Sequence, residues 1–129
     1  MQFGYTIVYV SDVPSSIAFF ENAFGLRKKF IDDSGTYGEL NTGETTLSFA
    51  AHSLGETNLP HGYVAADSSN KPLGMEIALI TDEIESAHQK AIAAGAIEIA
   101  APKAKPWGQI VSYVRCPDGT LVELCTPIS

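Results

Sequence analysis

The sequence repeats itself once. A shift of seventy residues lays Asp12 on Asp82, Ser16 on Ser86, Ala23 on Ala93 and Gly25 on Gly95. A period this long, occurring only twice, is no solenoid array and marks a duplicated module. The 129 residues make one ordinary domain, and each copy alone would leave one face of its sheet uncovered.

The elements within each copy follow from periodicity. Gly4–Val10 alternates and carries Tyr, Thr, Ile and Val, which suits a pleated, half-buried strand. Asp12 or the serines after Pro14 open a helix whose stripe is Ile17, Phe20 and Phe24, with Phe19 widening it and Gly25 as its stop. Leu26–Ile31, Thr36–Asn41 and Thr45–Ala51 read as strands separated by hairpin-type turns. The polar stretch from His52 to Gly74 has no clear period and reads as a linker or flap. The pattern then returns: strand Met75–Thr81, helix Ile84–Ala94 with Ile84, Ala87, His88, Ala91 and Ile92 on one face, and strands Ile97–Ala100, Gln109–Val114 and Thr120–Cys125. The fold class is therefore α+β, one domain over 1–129. Its two βαβββ modules cover about 1–52 and 75–129, each a curved mixed sheet with a helix packed on it, joined by a linker over 53–74 and together shaping a cup.

Charge narrows the partners. Eight Lys and Arg face fifteen Asp and Glu, and the only basic cluster is Arg27-Lys28-Lys29, so no nucleic acid is expected. No apolar run reaches the ~18–20 residues that span a bilayer, and the start is not an export signal; no membrane partner and a cytoplasmic location are expected. Cys116 and Cys125 read as reduced, structural thiols. His52, His61 and His88 are isolated from one another, and no nucleophile–base pair, phosphate loop or metal motif stands out. Catalytic residues stay unassigned.

Several short motifs in order resemble the vicinal-oxygen-chelate superfamily of glyoxalases, bleomycin-resistance proteins and extradiol dioxygenases. They are Asp12-Val13, Ser16, Phe19-Phe20 and Phe24-Gly25-Leu26 at the start, Glu83–Ala87 with Ala94-Gly95, and Trp107-Gly108, Pro117-Asp118-Gly119 and Val122-Glu123-Leu124 at the end. Metalloenzymes of that superfamily hold a divalent ion on four side chains, and the resemblance carries those positions to Tyr5, Ser48, Glu76 and Glu123. The plain seventy-residue shift would select Met75, but a second helix shorter by one residue selects Glu76 and turns Met75, Ile77 and Leu79 toward the helices. Tyr5 and Ser48 are poor ligands, so no cofactor and no metal are expected, and a divalent ion on Glu76 and Glu123 is the minor alternative.

The resemblance is closest to the metal-free bleomycin-resistance branch, in which aromatic walls hold a planar drug without altering it. It implies a small-molecule binding or sequestering protein and a homodimer. Tyr5, Tyr9, Tyr37, Phe49 and Trp107 are the expected walls, with Ser48, Glu76 and Glu123 as polar groups and a planar aromatic or cationic ligand. The alternatives are a metal-dependent lyase, isomerase or dioxygenase, and a non-catalytic interaction module.

Overall fold

A computed structural model describes residues 1–128. The first module runs β1 (Tyr5–Val10), α1 (Val13–Phe24), β2 (Arg27–Ile31), β3 (Tyr37–Asn41) and β4 (Thr46–Ala51). The second runs β5 (Ile77–Ile80), α3 (Ile84–Ala94), β6 (Ile97–Ala104), β7 (Ile110–Arg115) and β8 (Leu121–Cys125). Each forms a four-stranded mixed sheet, ordered β1-β4-β3-β2 and β5-β8-β7-β6, with β1 parallel to β4 and β5 parallel to β8. This is the duplicated α+β architecture expected from the repeat.

Local chemistry sets the helices. Asp12 caps α1 by accepting the Ser15 amide at 3.0 Å, and Gly25 ends it. Helix α3 has eleven residues to the twelve of α1, which accounts for the one-residue slip between the copies. Val13, Ile17, Phe20 and Ala23 of α1 pack on Val10, Leu40, Leu47 and Phe49. In the second module Ile84 and Ala91 meet Val114, Val122 and Leu124, and α1 against α3 joins the two sets into a single core. His88 is fully buried within it yet satisfied, with Nδ1 3.0 Å from Ser112 Oγ and Nε2 2.7 Å from Glu98 Oε2.

Three departures from the sequence reading have physical causes. Met75 does not join Ile77 and Leu79 against the helices: β5 begins only at Ile77, and Met75 is exposed. Strand β6 runs on to Ala104, past Pro102, because it is an edge strand with two register shifts that tolerate a missing donor. The stretch after β4 is not featureless: His52–Asn58 forms α2 and Ala66–Ser68 a 3-10 turn. Gly55 sits in that helix because the Tyr63 ring lies directly on it, leaving no room for a Cβ. Among the described residues no helix is long and apolar enough to cross a membrane.

Candidate functional site

Register decides which side chains leave the core. Val8 pairs with Phe49 and Val10 with Ala51, and Val8, Val10 and Phe49 all belong to the helix-facing core. Strand alternation then puts Tyr5, Ile7 and Tyr9 on the opposite, open face, with Ser48 beside Ile7 and Ala50 beside Tyr9. Strand β3 adds Tyr37 opposite Ala50 and Glu39 opposite Ser48, and β2 adds Phe30 opposite Glu39. The open face of the first sheet is thus aromatic around a small polar centre. Tyr37 donates its hydroxyl to Glu39 Oε2 at 2.7 Å, and Lys29 Nζ lies 3.7 Å from Glu39 Oε1. Burial pushes the Tyr37 phenol up, opposed by the Ser48 hydroxyl and assisted by Glu39.

The second sheet builds a related centre. Ile77 and Leu79 face the core, so Glu76, Ala78 and Ile80 fall on the open side, and Glu123 stands beside Ala78 and opposite Tyr113. Tyr113 donates its hydroxyl to Glu123 Oε1 at 2.8 Å. That bond, then burial and the nearby carboxylates, hold the Tyr113 phenol up at about 12. The Glu76 carboxyl is raised first by loss of water around it, then by the Glu123 charge and a hydrogen bond between the two acids.

Between the modules lies a strap, 59–74, tied down at both ends. Tyr63 stacks on Tyr9 with ring centroids 4.9 Å apart, and its hydroxyl is 2.7 Å from His52 Nδ1. Ser11 donates to Asp67 at 2.8 Å. Arg115 Nη2 donates to the carbonyls of Ala66 at 2.7 Å and Ser69 at 3.0 Å, and its Nε to Gly119 at 3.3 Å. Beneath the strap a cavity of about 220 Å³ runs between β1, the start of β5 and the turn leading into β8.

The expected site residues therefore scatter. Tyr5, Tyr37 and Ser48 lie on one open face, and Glu76 and Glu123 meet on the other, while Tyr9 and Glu76 also border the cavity. Phe49 is no wall: it is 0% exposed in the core, 5.0 Å from the ring of Phe20. Trp107 is 63% exposed in the β6–β7 hairpin, its Nε1 donating to Gln109 Oε1 at 2.7 Å, and borders none of the cavities described. Trp107→Ala is accordingly expected to shift stability by no more than about 0.5 kcal/mol. A melting curve checks it, and a drop of many degrees would show a packing role. The sequence reading missed Tyr113, Glu39 and Tyr63. The first two carry a signal, since each is one partner of a tyrosine–carboxylate pair, but it appears only once register is known.

The four superfamily metal positions do not fit a tightly held divalent ion. Ser48 is wholly buried with its Oγ turned to the Thr6 carbonyl at 3.4 Å, and Tyr5 offers only a phenol, so two of the four positions carry poor donors. No group of three or more His, Cys, Asp or Glu among the described residues is placed to hold a metal.

Two helix-backed four-stranded sheets in tandem, each with one face left open, carry the duplicated fold. Residues 3–129 match the glyoxalase-like domain, and the chain belongs to that family. The fold is shared with a glyoxalase-related enzyme from Fulvimarina pelagi (TM-score 0.82, 19% identity, covering 98% of this chain and 88% of that one). It is shared equally with a glyoxalase/bleomycin resistance protein/dioxygenase family enzyme from Burkholderia phytofirmans PsJN (0.81, 20%, 98% of both chains). A protein of unknown function from Agrobacterium tumefaciens str. C58 aligns with TM-score 0.77 and 25% identity over 98% of this chain and 94% of that one. No curated protein matches the sequence significantly.

Proposed function

We propose that this chain is a small-molecule-binding protein that holds its ligand non-covalently on the open sheet faces, without a tightly bound metal. The observation that carries the reading is the first open face. Tyr5 (60% exposed), Ile7 (45%) and the exposed Phe30 surround a centre of half-buried Tyr37 and buried Glu39 and Ser48. An apolar, aromatic surface with a few placed polar groups is the ordinary make-up of a ligand site. The acids Glu39, Glu76 and Glu123, with a net charge of −7, favour a planar aromatic or cationic ligand.

A second copy of the chain completes the enclosure. Ile80 (71% exposed) lies on the second open face as Tyr5 and Ile7 lie on the first, and exposed apolar surface of this kind calls for a covering partner. The reading includes a cytoplasmic location, supported by the two buried cysteines being free.

The test combines three measurements on the purified protein. Sedimentation at micromolar concentration is expected to give a homodimer, metal analysis no stoichiometric transition metal, and titration with the aromatic cation proflavine saturable binding that weakens in Glu123→Gln. One tightly held ion per chain, lost in Glu76→Ala or Glu123→Ala, would replace this reading with metal-dependent catalysis. A monomer would remove the shared enclosure.

A further inference from the structure

Where α1, α3 and the end of β5 meet, on the helix side of the second sheet, the core comes to the surface. An open cavity of about 330 Å³ lies there. Its floor is apolar: Ala23 and Leu124 belong to the buried core, and Phe24, Leu79 and Ala87 pack against that core while staying partly exposed. No strap residue lines it, and of its lining only Ile80 also belongs to an open sheet face. Apolar surface left uncovered at such a place marks a site for something to bind.

The rim is different in kind. Ser86 and Lys90 stand one turn apart on α3 and so share the face that borders the cavity, and Thr81 closes the end of β5. The Lys90 Nζ reaches toward the end of α1, to 3.9 Å from where a Cβ on Gly25 would stand. Among the described residues it enters no ion pair. The Thr81 hydroxyl accepts the Glu83 amide at 3.0 Å and so keeps its own proton to donate, whereas the Ser86 hydroxyl is spent on the Glu83 carbonyl at 3.2 Å. No acid lines the cavity. The other two cavities are lined by Glu76 and by Asp12, Asp67 and Asp118, and the chain carries a net charge of −7, so an uncommitted cation over an apolar floor sets this one apart.

We propose that this cavity binds a small monocarboxylate with an apolar tail, the tail covering Phe24, Leu79 and Ala87 and the carboxylate pairing with Lys90 and Thr81. Hydrogen bonds between an ammonium and a carboxylate are stronger than neutral ones, and burial of the tail supplies the rest of the affinity. The charge required is opposite to that of the open-face ligand, and the site stands independently of the open-face reading.

Two probes with the same tail test it, octanoate and octanol, titrated while the methyl resonances of Leu79, Ala87 and Leu124 are followed beside that of Ile7 on the first open face. Octanoate is expected to shift the three floor methyls and leave Ile7 in place, and octanol to need a higher concentration for the same shifts. Lys90→Gln, which keeps much of the length and removes the charge, is expected to weaken octanoate about 3- to 10-fold and leave octanol unchanged, as one partly exposed charged contact implies. Lys90→Arg is expected to keep most of the octanoate affinity. Ser86→Trp, which covers the cavity from its exposed rim, is expected to abolish both, and the open-face variant Tyr5→Ala to change neither. Absence of floor shifts with octanoate, an unchanged octanoate affinity in Lys90→Gln, or an equal loss of octanol in that variant would overturn the proposal. Octanoate that shifts Ile7 in place of the floor methyls and weakens in Tyr5→Ala would move the ligand to the open face and overturn it equally.

Discussion

Gly119→Ala is expected to destabilise the protein by about 3 kcal/mol or more and to free the strap while both sheets persist. Gly119 has φ +90°, a conformation that costs an L-residue about 1–2 kcal/mol by itself. A Cβ there would also lie 2.2 Å from the Ala66 carbonyl oxygen and 2.5 Å from the Asp67 amide nitrogen. Those neighbours are backbone, so no rotamer change relieves the overlap and the strap itself must lift. Lifting it breaks the Arg115 bond to the Ala66 carbonyl and the Ser11 bond to Asp67, and bonds to charged groups contribute ~1.5–3 kcal/mol. Gly43→Ala is the control: φ is +88° and nothing lies within 4 Å of its Cβ, so it should show the conformational cost alone. Melting curves on both variants, beside proteolysis of the strap, separate strain from displacement. Equal losses in the two would mean that the close approach of Gly119 to Ala66 is not a constraint.

The two roles of Gly119 show where sequence reading stops. Pro117-Asp118-Gly119 announces a tight turn, and Asp118 Oδ1 does accept the Thr120 amide within it. Nothing local announces that a strap forty-five residues and more earlier rests on that glycine, because the strap has neither period nor repeat. The helices were legible for the opposite reason. Ile17, Phe20 and Ile84, Ala91 recur at helical spacing, and Asp12, Gly25 and Gly95 punctuate the ends. The open face of β1 was legible too, since an edge strand keeps its alternation and Tyr5 and Tyr9 fall out of it. Strand β4 lies between β1 and β3 and is buried on both sides at Leu47, Ser48, Phe49 and Ala50. A strand buried on both faces carries no amphipathic signal, so only its register against β1 distinguishes Ser48 from Phe49. The same absence of register hid Tyr113, whose partner Glu123 was already in view.

Phe49→Ala is expected to be the most damaging single substitution considered, with a loss of about 3–5 kcal/mol. The ring is 0% exposed and packs 5.0 Å from that of Phe20, itself fully buried and 5.1 Å from Phe24. Removing it leaves a void bounded by α1 and the inner faces of β1 and β3, and these rigid elements collapse only partly. Domains of this size are stable by about 5–15 kcal/mol, so the variant should melt more than ~10 °C early. Phe49→Leu, which restores most of the volume, should recover much of the loss. A residue on a ligand wall would behave in the reverse way, melting normally while binding weakly. Affinity for proflavine measured below the melting transition should therefore stay near that of the unaltered protein. A Phe49→Ala variant that melts within a degree or two of the parent and loses its ligand would place the aromatic wall on the other side of β4 and invert the register on which the first open face rests.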